Sequence, residues 1–191
     1  YGGGEGMVLM AEPLENAIKN IPSDNLGIVI NLSPQGTIFS QKKAKELSKL
    51  KNITIICGRY EGIDERLISQ YVDDEISIGD YVLSGGEFAA LTLIDTLSRF
   101  IPGVIGNKKS VELDSFSQGL LKGPVFTRPE TFNSNDVPEV LISGDHNKIK
   151  EWRDNQSLIR TFERRPDLLK NAKLTKKQKK LLEELSSKAI L

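Results

Sequence analysis

Three short glycine-bearing stretches carry the residues best suited to chemistry in this chain. They are Ser33-Pro34-Gln35-Gly36, Gly58-Arg59-Tyr60-Glu61-Gly62 and Ile78-Gly79-Asp80-Tyr81-Val82-Leu83-Ser84-Gly85-Gly86. Glycine lets main-chain amides and carbonyls come close to a ligand, or lets one segment pass close to another. One such stretch alone would equally be an ordinary strand-to-helix turn; three together point to a ligand. Other chemistries are poorly served. A single cysteine, Cys57, and a single histidine, His146, cannot make an internal disulfide or a Cys/His metal cluster, so no metal site is expected. No Gly-Lys-Ser/Thr follows the glycines near the N-terminus, and no strand runs into Gly-x-Gly-x-x-Gly. Both facts argue against a nucleotide-phosphate loop and a dinucleotide-binding dehydrogenase.

The elements that must hold these loops are readable from periodicity. Residues 27–32 and 52–57 are compact apolar runs suited to strands buried on both faces, and 74–78, where β-branched Ile76 and Ile78 alternate with Ser77, is expected to be a third strand. Amphipathic helices are expected over residues 13–20, 41–50 and 64–71, the last capped by Asp64. Residues 88–100 are apolar almost all round, the pattern of a buried helix or one covered by another subunit. Strand–helix alternation implies an α/β fold with a parallel sheet. The carboxyl ends of parallel strands share one edge, and each strand runs into a glycine stretch. The three loops are therefore expected to converge on one pocket.

After Pro102-Gly103 the character changes. Residues 107–139 are rich in Gly, Pro, Ser and Asn and lack periodicity, as a functional loop or linker would. A short apolar segment follows at 140–144, then helices expected over 147–165 and 175–191, with His146 a surface or helix-start residue. From His146 onward Lys and Arg outnumber Asp and Glu about two to one, although the whole chain is neutral. That asymmetry is the footprint of a module that meets phosphates. No apolar run approaches a membrane span and no secretory signal opens the chain, so a cytoplasmic protein with no membrane partner is expected. The chain opens at Tyr1 rather than a methionine, as an interior segment would, and further residues are expected upstream.

Several motifs in order carry a family resemblance. They are Tyr1-Gly2-Gly3-Gly4-Glu5-Gly6-Met7, Leu32-Ser33-Pro34-Gln35-Gly36, Gly58-Arg59-Tyr60-Glu61-Gly62-Ile63-Asp64-Glu65-Arg66 and Ile78-Gly79-Asp80-Tyr81-Val82-Leu83-Ser84-Gly85-Gly86-Glu87. Arg99-Phe100-Ile101-Pro102-Gly103, Asp114-Ser115-Phe116, Thr127-Arg128-Pro129, Pro138-Glu139-Val140-Leu141-Ile142-Ser143-Gly144 and Trp152-Arg153 continue the pattern. Over residues 1 to about 170 the chain resembles the bacterial tRNA (guanine-37-N1)-methyltransferase family. The combination is specific where no single piece is. The resemblance implies methyl transfer from S-adenosyl-L-methionine to N1 of guanosine 37 in tRNA. It implies the SPOUT fold, a parallel sheet with a deep trefoil knot through which the third glycine stretch passes. It further implies a homodimer with each active site shared between subunits, and a strand and helix ahead of Tyr1. Residues 1–106 become the catalytic domain, 107–123 a flexible linker and 124–191 a small α-helical tRNA-binding domain. Cofactor contacts are implied at Pro34, Gly58, Tyr60, Glu61, Ile78, Gly79, Asp80, Tyr81, Val82, Leu83, Gly85 and Gly86. Magnesium dependence is a further implication, with no carboxylate cluster in the sequence to mark it.

The chemistry needs few groups. Guanine N1 carries a proton near neutral pH and must lose it to attack a methyl group. A placed carboxylate acting as general base contributes on the order of 10²–10⁴-fold. Asp114 matches the family's residue for that role, and Arg99 matches the cation that meets the charge developing on O6. Without the resemblance, Asp114 reads first as a helix or turn cap beside Ser115, and Arg99 as a helix-end charge. Arg128, Arg153, Arg160, Arg164 and Arg165 are the expected phosphate contacts, which set affinity rather than base choice. Three positions depart from the family's pattern: Lys122 replaces an acidic residue, and Val125-Phe126 replaces His-Tyr. Contacts to the neighbouring nucleotide are expected to differ there. An RNA-binding module with a vestigial cofactor pocket is the competing reading.

Overall fold

Ala11–Lys19 begins the regular structure as helix α1, with Glu12 in its first turn and Lys19 in its last, each suited to the helix dipole. The short α2 (Ser23–Leu26) leads into β1 (Ile28–Ile38), followed by α3 (Gln41–Leu47), β2 (Ile53–Ile56), α4 (Glu65–Tyr71), β3 (Asp74–Ser77) and α5 (Glu87–Ser98). The structure is a computed structural model that describes residues 1–106, 111 and 113–189. These first elements belong to one of two units, Tyr1–Gly106; the second is Asn107–Leu191. Asp64 caps α4 as the sequence implies, its Oδ1 accepting from Arg66 N at 2.9 Å, and Ser40 caps α3, its Oγ accepting from Lys43 N at 3.2 Å.

The strands lie in the order β2-β1-β3, all parallel. Alternation along β1 sends successive side chains to opposite faces. Ile30 and Leu32, with Ile76 of β3, pack against Ala44 and Leu47 of α3 and Ala89 and Leu93 of α5. Val29, with Ile56 of β2, packs against Ile18 of α1 and Leu67 of α4. The sheet is thus covered on both faces, as continuous apolar strands require.

One expectation needs correction. β1 does not end at Ser33. Leu32 and Thr37 both stand opposite Ile76, so residues 33–36 leave the ladder, loop out and return to the same partner. A Cβ on Gly36 would lie 2.3 Å from the Glu75 carbonyl carbon, so the return path needs a residue without a side chain. The helix expected to be apolar all round, α5, is covered on one side only within this unit. It buries Ala89, Ala90, Leu93 and Leu97 and exposes Phe88, Leu91 and Ile94.

The second unit contains a hairpin of β4 (Thr131–Phe132) and β5 (Asn135–Asp136), then α6 (Glu139–Ile142), α7 (His146–Arg164), a 3-10 turn (Pro166–Asn171) and α8 (Lys176–Ala189). Asp145 caps α7 by accepting from Asn147 N and Lys148 N, both at 3.1 Å. Leu158 and Thr161 of α7 are fully buried. Residues 113–123 lie against α7: Leu120 is buried, and Leu121 N donates to Thr161 Oγ1 at 2.9 Å. The remaining residues of the expected linker, 107–110 and 112, and positions 190–191 of the expected last helix, lie outside the described residues. Among the described residues no helix is long and apolar enough to cross a membrane.

Candidate active site

The first unit holds a cavity of about 350 Å³ at the carboxyl edge of the sheet. Its walls are residues 31–35 from β1 and its excursion, 58–63 after β2, and 75–79 with 81–86 from β3 and beyond. The expected convergence of three loops is therefore present in the structure.

Direct bonds join the second and third loops. Gly86 N donates to Gly58 O at 2.8 Å, and Arg59 and Gly85 form an isolated antiparallel bridge. A Cβ on Gly86 would meet Cys57 Cα at 2.8 Å and Gly58 N at 3.1 Å, so this approach depends on glycine. Arg59 Nε and its guanidinium NH2 group reach Glu87 Oε1 at 2.8 and 2.7 Å, tying the second loop to the start of α5. The backbone N–H of Glu87 itself, then Arg59, hold that carboxyl below its usual range.

The N-terminal glycine segment supports the second loop. Glu61 N donates to Met7 O at 3.0 Å, Leu9 N to Gly62 O at 2.9 Å, and Asp64 N to Leu9 O at 3.1 Å. Tyr60, with φ of 60°, sits in the left-handed region, a costly conformation for a bulky residue that is found most often at ligand sites. Hydrogen bonds from the Arg66 side chain, then its backbone, depress the Asp64 carboxyl to about 2.

Of the residues expected to bind a cofactor, Pro34, Gly58, Tyr60, Glu61, Ile78, Gly79, Tyr81, Val82, Leu83, Gly85 and Gly86 line this cavity. Asp80 stands between two lining residues but is exposed and not part of the wall. Polar wall residues outside the three expected loops are Asn31, 4% exposed, Glu65, Glu75 and Ser77. Asn31 Nδ2 donates to Glu75 Oε2 at 2.8 Å. Asn31 is a polar interruption in the apolar run Ile28-Val29-Ile30-Asn31-Leu32, which is the signal that could have marked it. Cys57 is no candidate nucleophile: burial, then the Glu87 carboxylate, push its thiol above the ordinary value.

The second unit has its own cavity, about 370 Å³, lined by Asp114, Lys122, Arg153, Asp154 and Ser157 among others. Lys122 Nζ donates to Asp114 Oδ1 at 3.1 Å. Arg99 is elsewhere, as the half-buried C-cap of α5 in the first unit, outside the lining of the first cavity.

Arg153, Arg160 and Arg164 follow one another at spacings of seven and four along α7, which places them on one face. Arg128 and Arg165 are exposed, but Arg165 is held by Asp167 through bonds of 2.8 and 2.6 Å. His146 is the exposed first residue of α7. Among the described residues no group of three or more His, Cys, Asp or Glu could hold a metal ion.

Residues 1–171 match the model of the tRNA (Guanine-1)-methyltransferase TrmD family. The chain is 56% identical over 186 residues to a tRNA (guanine-N(1)-)-methyltransferase of Shewanella sediminis, covering 96% of this chain and 77% of the relative. Proteins of the same description are 52% identical in Pseudoalteromonas atlantica, over 96% of this chain and 70% of the relative, and 51% identical in Desulforamulus reducens, over 98% and 75%.

Proposed function

The chain belongs to the tRNA (guanine-1)-methyltransferase family, and from that premise we propose that it transfers a methyl group from S-adenosyl-L-methionine to N1 of guanosine 37 in tRNA, beside the anticodon. The methyltransferase activity on guanine N1 rests on the family match over residues 1–171. The observation in the molecule that supports it most is the convergence of three glycine loops on one cavity.

That cavity suits the methyl donor. Its volume is within the range of small-molecule sites, about 300–1,000 Å³. Gly58, Ile78, Gly85 and Gly86 are among the wall residues, and the close packing at Gly86 leaves no room for a Cβ. When bound, S-adenosylmethionine supplies a sulfonium methyl that is already activated. The protein then has to orient the guanine and remove a proton. Asp114 takes the proton from N1, which frees the N1 lone pair for attack. Arg99 faces the negative charge that deprotonation puts on O6. Glu61, Glu65 and Glu75 are the wall carboxylates available to the cofactor's ammonium or ribose.

The same reading includes the knotted SPOUT topology at the third loop, a homodimer and a cytoplasmic location alongside tRNA. The exposed Phe88, Leu91 and Ile94 face of α5 suits burial against a second copy, with each reaction centre drawing residues from both copies. Magnesium, also implied by the resemblance, has no cluster of protein ligands among the described residues; phosphates of the tRNA suit it as ligands. Arg153, Arg160 and Arg164 supply a basic face for the tRNA backbone, and the exposed Arg128 is a further phosphate contact. Calorimetry with S-adenosylmethionine tests the pocket. Binding is expected, with loss of heat signal in Gly86→Val; absence of binding at millimolar ligand would favour an RNA-binding module with a vestigial pocket.

A further inference from the structure

The second cavity juxtaposes opposite charges in a fixed frame. Lys122 Nζ lies 3.1 Å from Asp114 Oδ1, and both residues line the cavity with Arg153, Asp154 and Ser157. The backbone under Lys122 is held tightly. Lys122 N donates to Ser115 Oγ at 3.0 Å, one residue beyond Asp114. Leu121 N donates to Thr161 Oγ1 at 2.9 Å, Ser157 Oγ donates to Leu121 O, and Thr161 is fully buried. The side chain of Lys122 is 48% exposed, so its ammonium faces both Asp114 and solvent.

We propose that Asp114 and Lys122 together read the Watson–Crick edge of the target guanine, with Lys122 a further catalytic residue that donates to O6. The proposal rests on the reading of Asp114 as the base at N1. Guanine presents a donor, N1–H, directly beside an acceptor, O6. Its complement is an acceptor in hydrogen-bond contact with a donor, which is what a carboxylate and an ammonium 3.1 Å apart provide. Adenine and cytosine present the reverse order, acceptor beside amino group, and meet like against like on both atoms; a mismatch of that kind is a strong basis for rejection. The pair also serves the reaction. The N1 proton moves to Asp114, charge appears on O6, and the Lys122 ammonium is already in place to stabilise it without reorganisation. Before RNA arrives, the ion pair satisfies both groups within the cavity.

The test combines two substitutions at Lys122 with a modified substrate. Lys122→Met is expected to lower kcat for guanosine-37 tRNA on the order of 10²-fold, the scale of losing one donor to a developing oxyanion. KM for tRNA and Kd for S-adenosylmethionine are expected to stay within about threefold, and Lys122→Arg to recover most of the rate. With 6-thioguanosine at position 37, whose sulfur accepts poorly, the cost of Lys122→Met is expected to shrink, because one contact is removed twice. A Lys122→Met enzyme with undiminished kcat, or the same loss on both substrates, overturns the proposal. Asp114→Asn separates the two readings. If Asp114→Asn is inactive while Lys122→Met is unimpaired, only the role of Lys122 fails; if Asp114→Asn turns over normally, the underlying reading of Asp114 fails.

Discussion

Asn31 and Glu75 meet across the parallel pair β1–β3, Asn31 Nδ2 donating to Glu75 Oε2 at 2.8 Å in the wall of the first cavity. The carboxylate fixes which way the amide points. Asn31 Oδ1 is consequently an acceptor that finds no donor among the described residues. Replacing Asn31 by Ala removes the donor to Glu75 in a buried setting, a loss of about 1–3 kcal/mol of stability. Urea denaturation is expected to show that loss, and calorimetry a weaker affinity for S-adenosylmethionine. An Asn31→Ala protein as stable and as tightly binding as the parent would show that the pair has neither role.

Gly86 packs on the Cys57–Gly58 backbone, whereas Gly4 has no atom within 4 Å of where a Cβ would stand. Gly86→Ala is expected to force the second and third loops apart and reduce cofactor affinity by roughly tenfold or more, ~1.4 kcal/mol. Gly4→Ala is expected to leave affinity unchanged. Equal effects in the two variants would contradict the importance of that close approach.

Two carboxyls at the rim of this region respond to pH in the same direction. The Asp64 carboxyl is depressed to about 2 by Arg66, and Glu87 is lowered by its own N–H and Arg59. A group lowered on folding contributes stability above its unfolded value, near ~4 for carboxyls, and loses it as pH falls through the folded value. Melting temperature is therefore expected to be insensitive to these groups near neutrality and to fall from about pH 4 towards pH 2. The difference in Tm between the parent and Asp64→Asn, whose amide keeps a cap but not the charge, is expected to shrink over that interval. A difference that stays constant from pH 7 to pH 2 would mean that the charge contributes nothing.

The apolar face of α5 gives a prediction about assembly. Leu91 is 60% exposed within its unit, between the exposed Phe88 and Ile94. Leu91→Arg is expected to convert a dimer into monomers in sedimentation equilibrium and to abolish methylation while the thermal transition persists. A dimer in Leu91→Arg would place the interface elsewhere.

On α7, Arg153→Ala, Arg160→Ala and Arg164→Ala are each expected to weaken tRNA binding and to reduce the slope of log affinity against log salt by about one. Arg165→Ala is expected to do less, because Asp167 already occupies that guanidinium. A filter-binding salt titration reads all four.

Much of the first unit was legible because its strands are written in short local runs. Residues 52–57 and 74–78 became β2 and β3 within a residue or so, residues 27–32 became the first half of β1, and parallel pairing then put their loops on one edge. What escaped depends on residues far apart in sequence. Nothing local shows that Thr37 returns to the Ile76 partner that Leu32 already faces, or that Asn31 finds Glu75 44 positions on. The β4–β5 hairpin escaped for another reason. Its strands have two residues each, too short for alternation to register, and Asn133 and Ser134, both at positive φ, form the turn. The position of residues 113–123 rests on Leu121 meeting Ser157 and Thr161 of α7, contacts that composition rich in glycine and serine gives no hint of. Lys122 could be read as a departure from the family's pattern, but its meaning needed the 3.1 Å contact with Asp114.

The central claim is methylation of guanine N1 at position 37, and it is tested most directly with two unmodified tRNA transcripts differing only in that base. Each is incubated with methyl-labelled S-adenosylmethionine and digested to nucleosides. Label is expected in N1-methylguanosine from the guanosine-37 transcript, none from the adenosine-37 transcript, and none from either with Asp114→Ala protein that still binds cofactor. Label at another base, equal label in both transcripts, or no label despite cofactor and tRNA binding would contradict it.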